Sequence, residues 1–303
     1  MVERDILVSI VVVSYNAEST IEETLNSIYN QTYKIIELIV ADDCSKDQTV
    51  SVAKRWIDKY SDRFVRTKLI CSPINQGVCK NLNEGHKVVQ GDWVMCPAAD
   101  DILFPNCIKD YVDYILSHSD TSFISSYMSV YNDVFIETNC ITRKKGPKDL
   151  SIFNAPVEQQ LIRMAYSPFV WAPTIIYKKD LFEAVGGFRE EYPFEDWPFY
   201  MDVLEKGYRI SFIDRITVGY RFHQSSSHED NMLFNYPFTL KTQTFIRERC
   251  FKYYSPRQII ATKAKWNAEK FLHWMGCDRK TWLNAIIFKC TFGLIARIGG
   301  RYA

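Results

Sequence analysis

Apolar runs and short polar breaks alternate through the first hundred residues. Residues 6–13 are continuously aliphatic apart from Ser9, the pattern of a strand covered on both faces, and Ser14-Tyr15-Asn16 end it. Ser19 and Glu22 stand at capping-box spacing, and Ile21, Leu25 and Ile28 recur at helical intervals to about Asn30. Residues 37–41 predict a second buried strand, closed by Asp42-Asp43 and followed by Ser45, Asp47 and a helix to about Tyr60. The pattern then recurs. Residues 64–71 predict a strand, Asn75-Gln76-Gly77 a turn, 78–89 a helix, and 93–96 a fourth strand ahead of Asp100-Asp101. Such alternation implies an α/β fold, with a mostly parallel sheet and helices on both faces.

Farther along, Pro105 opens a helix to about Ser117, and 123–131 with 134–140 reads as a hairpin across Asn132-Asp133. Residues 142–149 are polar and basic and contain Gly-Pro, as a surface loop able to order over a ligand would. A strand over 171–177, a helix over 179–185 stopped by Gly186-Gly187, a helix over 198–206, and two strands over 210–213 and 218–222 follow. The remainder is helical in pattern, over 231–252, 256–274 and 279–297. We therefore divide the chain into 1–230, with halves 1–104 and 105–230, and a basic helical extension, 231–303.

In a parallel sheet the loops after successive strands share one rim, which brings Tyr15, Asn16, Asp42, Asp43, Asn75 and Asp100-Asp101 toward one ligand. An aromatic face, carboxylates and an amide suit a nucleotide. The pair at 100 and 101 suits a hard divalent cation that also binds substrate phosphates. Each residue has a plainer reading: Tyr15 as packing, Asp43 or Asp47 as a helix cap, the acid pair as an acidic loop. Glu195-Asp196, set among Tyr192, Pro193, Phe194, Trp197 and Pro198, reads either as a desolvated general base or as a first-turn cap. His223 at a strand end suits a metal or phosphate, or an ordinary surface position.

Composition narrows the class. Nine cysteines, an odd number without a Cys-x-x-Cys pair, argue against a disulfide framework or zinc site. The N-terminus lacks a basic-then-apolar leader, so a cytoplasmic chain is expected. The net charge of +1 hides an asymmetry, because residues 241–303 hold 13 Lys and Arg against 3 Asp and Glu. Together with Trp266, Trp274 and Trp282, that surplus suits an anionic membrane surface, a phosphate-bearing acceptor, or the acidic body of the same protein. No membrane span and no nucleic-acid partner are expected.

Several motifs in order resemble the family-2 glycosyltransferases of GT-A fold. They are Val-Ser-Ile-Val-Val-Val-Ser-Tyr-Asn (8–16), Ser-Ile-Tyr-Asn-Gln-Thr-Tyr (27–33), Glu-Leu-Ile-Val-Ala-Asp-Asp-Cys-Ser-Lys-Asp-Gln-Thr (37–49), Asn-Gln-Gly (75–77) and Ala-Asp-Asp (99–101). Gly-Gly-Phe-Arg-Glu with Glu-Asp (186–196) and Tyr-Arg-Phe-His (220–223) continue the likeness. The resemblance implies Tyr15 on the base, Asp43 at the base edge, Asp100 and Asp101 on ribose and metal (Mn2+ or Mg2+), and Asp196 as catalytic base. His223 matches the family's late histidine. It implies inverting transfer from a nucleotide sugar, in the first instance a uridine diphosphate sugar, to a glycan or glycolipid acceptor in cell-surface polysaccharide synthesis, and the basic tail adds the expectation of a lipid-diphosphate-linked acceptor at the inner membrane face. Two departures are Ala98, where many members have Asp, and Leu82, where many have Arg. The alternatives are a sugar- or nucleotide-binding module without chemistry, and a nucleotidyltransferase, for which no glycine-rich, lysine-bearing phosphate loop is present.

Overall fold

The computed structural model describes residues 5–222, 236–277, 281–284, 286, 287 and 290. Two compact units emerge: Met1–Met164 with Pro168–Phe222, and Ala165–Ser167 with His223–Ala303. In the first unit the chain runs β1 (Val8–Ser14), α1 (Ile21–Tyr29), β2 (Ile36–Asp42), α2 (Thr49–Tyr60), β3 (Arg66–Cys71), α3 (Val78–His86) and β4 (Trp93–Met95). It continues through β5 (Ile102–Leu103), α4 (Cys107–Ser117), β6 (Phe123–Asn132), β7 (Cys140–Lys145), α5 (Val157–Tyr166), β8 (Ile176–Lys178), α6 (Lys179–Val185), α7 (Asp196–Glu205) and β9 (Ile210–Phe222).

The strands form one sheet in the order β3-β2-β1-β4-β8-β6-β9-β5, with β7 added on β6. As the βα alternation predicts, β3, β2, β1 and β4 are parallel. Beyond β4 the sheet is mixed: β8 is antiparallel to β4 and β6, β9 is parallel to β6, and β5 is antiparallel to β9. Side chains alternate between two cores, as strand geometry requires. Val8, Ile10, Val12, Leu38 and Val40 join residues of α1, α2 and α4 on one face. On the other, α3 lies so close that a Cβ on Gly85 would meet Val11 Cγ1 at 2.6 Å. An aromatic cluster continues this second core, with His86 stacked on Phe182 at 3.8 Å and Phe188 against Phe199 at 4.7 Å. Glu37 is fully buried in β2, but Ser9 Oγ (2.5 Å), Arg66 Nη1 (2.5 Å) and the Gln90 amide (2.8 Å) satisfy its carboxylate. Partners of that kind are what makes a buried charge tolerable.

Four local expectations are corrected. The α1 N-cap is Thr20, without a side-chain capping bond, so Ser19 and Glu22 form no capping box. The return strand of the hairpin is not 134–140 but β7, which starts at the last expected residue and runs into the stretch expected to be a loop, with Cys140 opposite Tyr131. Val134 and Ile136 gave the intervening segment an apolar look, yet they are half exposed. The true partner is an edge strand rich in Lys and Arg, a composition that discourages further pairing. The expected strands 210–213 and 218–222 are a single strand whose polar Asp214-Arg215 falls at register shifts against β6. The expected strand 171–177 is a strand only at its end, in β8, while Ala172–Thr174 form a 3-10 turn that Pro173 favours.

In the second unit α8 (Tyr236–Phe245) passes through a π turn (Ile246–Cys250) and a 3-10 turn (Phe251–Tyr253) into α9 (Pro256–Trp274). Ser255 and Gln258 cap α9 reciprocally, with Pro256 opening its first turn. Among the described residues no helix is long and apolar enough to cross a membrane.

Candidate active site

The C-terminal ends of β1 to β4 lie on one edge because the four strands run parallel. Here Asp42 is buried and accepts hydrogen bonds from Ser14 Oγ (3.0 Å), the Ser45 amide (2.8 Å) and Ser45 Oγ, so its carboxylate serves the loop after β2. Asp43, also buried, accepts from the Gln76 (2.8 Å) and Gly77 (2.7 Å) amides, tying that loop to the turn before α3. Asn16 takes the left-handed conformation (φ 51°), and its Oδ1 accepts from the Lys46 amide at 2.8 Å. Tyr15 is 49% exposed at the end of β1, and Asn75 is exposed before Gly77.

The chain after β4 is stitched to β1: the Val13 amide donates to Pro97 O (3.1 Å) and the Ala99 amide to Val13 O (3.0 Å). Asp100 and Asp101 follow this bridge. Asp101 is buried; Thr24 Oγ1 donates to its backbone carbonyl at 2.7 Å, and its Oδ1 accepts from the Arg221 amide at 2.9 Å. Arg221 Nε also donates to Asp100 O at 2.8 Å, while the guanidinium reaches Glu23 and Asp133 O. This clamp joins β9 to the acid pair. Sequence reading missed it, because Arg221 sat inside a motif valued for its histidine. His223, the other metal candidate, lies outside the described residues.

Asp101 Oδ2 is buried with no hydrogen-bond partner among the described residues. Burial, and after it the charge of Asp100, raise the Asp101 carboxyl well above the ordinary range, against the opposing pull of the Arg221 amide and guanidinium. A divalent cation would relieve such an oxygen, so the residues fit one. No group of three or more His, Cys, Asp or Glu among the described residues is placed to hold a metal by itself. Two carboxylates completed by substrate phosphates is a magnesium-like arrangement.

Asp100 and Asp101 line a cavity of about 730 Å³ together with Glu195 and Asp196 from the start of α7. Both acid pairs therefore face one space. Trp171, Leu82 and Phe188 supply apolar wall, and Lys145 of β7 brings a cation from the stretch expected to be a loop. Tyr15, Asn16, Asp43 and Asn75 stand on the same strand edge but do not line this cavity.

The loop that leads to the acid pair at 195 and 196 is tied to α3. Asn83 Oδ1 accepts from the Phe188 amide (2.9 Å), and its Nδ2 donates to Phe188 O (2.9 Å) and Glu190 Oε1 (3.0 Å). Trp197 Nε1 donates to Met164 O at 2.8 Å. Asp196 begins the helix and accepts from the Trp197 amide at 2.7 Å, whereas Glu195 makes no capping bond. Desolvation raises both carboxyls; Glu195, beside the charge of Asp196, is pushed up to about 7. The sequence marks the Glu195-Asp196 pair, but the resemblance gives the base role to Asp196 alone, and nothing in the sequence separates the two chemically.

Comparisons with known proteins bear on the family and the fold. The family model described as glycosyl transferase family 2 matches residues 9–186. A glycosyltransferase of Haemophilus influenzae is 32% identical over 235 residues, covering 74% of this chain and 70% of its own. The Escherichia coli UDP-Glc:alpha-D-GlcNAc-diphosphoundecaprenol beta-1,3-glucosyltransferase WfaP is 25% identical over 227 residues, 73% of this chain and 79% of that protein. Among solved structures, S. aureus TarS 1-349 in complex with UDP-GlcNAc aligns at a TM-score of 0.61 and 22% identity over 97% of this chain and 82% of that one. A longer TarS chain is matched over only 37% of its length. The Pyrobaculum calidifontis mannosyltransferase PcManGT, in complex with GDP-Man and Mn2+, aligns at 0.55 and 18% identity over 98% and 72%. With its βα alternation, its GT-A architecture and its acid-lined cavity, this chain belongs to glycosyl transferase family 2.

Proposed function

We propose that the cavity binds a nucleotide sugar, a uridine diphosphate sugar in the first instance, and passes the sugar with inversion to a hydroxyl of a glycan or lipid-diphosphate-linked acceptor. The observation that carries this reading is the convergence of Asp100-Asp101 and Glu195-Asp196 on one space of about 730 Å³. Residues 1–104 form the donor half and 105–230 the acceptor half. In the donor half Tyr15 offers a ring to the base, while Asp43 and Asn75 address the base edge from the adjoining loops. Asp100 faces the ribose and, with Asp101, the diphosphate. Asp101 and Asp100 would hold Mn2+ or Mg2+, whose charge when bound favours departure of the diphosphate.

Asp196 accepts the proton of the acceptor hydroxyl as its oxygen bonds to the anomeric carbon and the bond to the diphosphate oxygen breaks. Burial has raised the proton affinity of Asp196, and the start of α7 fixes its direction. Lys145 meets the negative charge of the donor. The acceptor reading draws on WfaP, whose name specifies a sugar on diphosphoundecaprenol. The basic second unit suits peripheral association with the cytoplasmic face of a membrane.

The test is a screen of sugar nucleotides for manganese-dependent thermal stabilisation, repeated with Asp101→Ala. A uridine diphosphate sugar is expected to raise the melting temperature of the native chain only with manganese, and of the variant not at all. Equal stabilisation of both would remove Asp101 from donor binding.

A further inference from the structure

The second unit has a cavity of its own, of about 740 Å³, lined from α8, the π turn and α9. Among the described residues that line it, three are cations, Arg247, Lys263 and Lys270, and none is Asp or Glu. On α9, Lys263, Trp266 and Lys270 recur at intervals of three and four and share a face. Phe251 and Trp266 stack at 5.3 Å with their planes 11° apart. The Arg247 guanidinium lies 5.6 Å from the centre of the Trp266 ring, and Lys263 Nζ lies 6.0 Å from that of Phe251.

Two observations give this arrangement a direction. Arg247 rides on the π turn Ile246–Cys250, an irregularity that costs helix stability and is frequent at functional sites. The nearby acid Glu269 is occupied: its carboxylate accepts from Gln243 Nε2 (3.0 Å) and faces Lys265 Nζ (3.7 Å), and it does not line the cavity. Like charges facing one space repel unless an anion joins them. The aromatic wall keeps the cations oriented without neutralising them.

We propose that this cavity is a phosphate-binding site, in which Arg247, Lys263 and Lys270 grip the phosphate of a diphosphate or a phospholipid headgroup and Trp266 packs against the group attached to it. Arg247 makes the paired hydrogen bonds and the two lysines supply point charges. The proposal stands independently of the transfer reaction, since it requires only anion binding in the second unit.

Calorimetry with pyrophosphate and the full chain, in the presence of chelator, tests it. The native chain is expected to bind, and Arg247→Gln/Lys263→Gln to bind about tenfold more weakly or worse, each lost charged hydrogen bond costing that order of affinity. Lys270→Gln, exposed on a different turn of α9, serves as a second variant should the double variant fail to fold. Flotation on vesicles of phosphatidylcholine with and without phosphatidylglycerol separates the sources. Loss of anionic-vesicle binding in the same variants identifies a headgroup, and unchanged flotation with lost pyrophosphate binding identifies a soluble or sugar-linked diphosphate. Failure of the native chain to bind millimolar pyrophosphate, or equal affinity in native chain and variants, overturns the proposal.

Discussion

At the scale of single residues, the site rests on carboxylates kept where they are unfavourable. Asp101 is buried with one oxygen lacking a partner, and Glu195 and Asp196 stand side by side against apolar walls. Neither strain is visible in the sequence, where Asp-Asp and Glu-Asp are ordinary pairs and only the partners set their chemistry. The Glu195 carboxyl titrates near 7 instead of 4.5, so folding favours its protonated form. That contribution to stability is fully present below about 4.5 and is lost as the pH rises through about 7. Glu195→Gln keeps a neutral side chain at every pH. Its melting temperature is expected to fall less than that of the native chain between pH 5 and 8. Parallel curves in a thermal melt series would contradict the assignment.

Among elements, α3 is the connector. It packs its Gly85 face on β1, and through Asn83 it holds the 188–190 loop that leads to the second acid pair. We expect Asn83→Ala to lower kcat while leaving donor affinity near its native value, and to reduce stability by about 1–3 kcal/mol for the orphaned backbone groups of Phe188. An unchanged kcat beside a lowered melting point would make Asn83 structural only. The elements of the first hundred residues were legible because aliphatic strands and amphipathic helices differ in period: β2, α2 and β4 fall within a residue or a few of their expected bounds. Legibility failed at β7 and β9. An edge strand has no buried face to leave a pattern, so residues 142–145 of β7 looked like a loop, and a bulge at Asp214-Arg215 looked like a break. The acids at the strand ends were readable as candidates, but the Arg221 clamp was not, since it joins residues 120 positions apart.

Across the whole molecule, charge is divided as the two units are. Residues 241–303 carry a surplus of ten positive charges within a chain whose total is +1. The first unit presents an acid-lined cavity suited to a cation and a nucleotide sugar, and the second a cation-lined cavity suited to phosphate. The account depends most on Asp196 acting as proton acceptor across the same space that Asp100 and Asp101 border. The direct measurement is sugar transfer by Asp196→Asn, alongside its affinity for the donor. We predict donor affinity within about twofold of native and transfer slowed by about 10²–10⁴-fold, the range that a positioned general base supplies. Transfer at the native rate by the Asn variant would contradict the account.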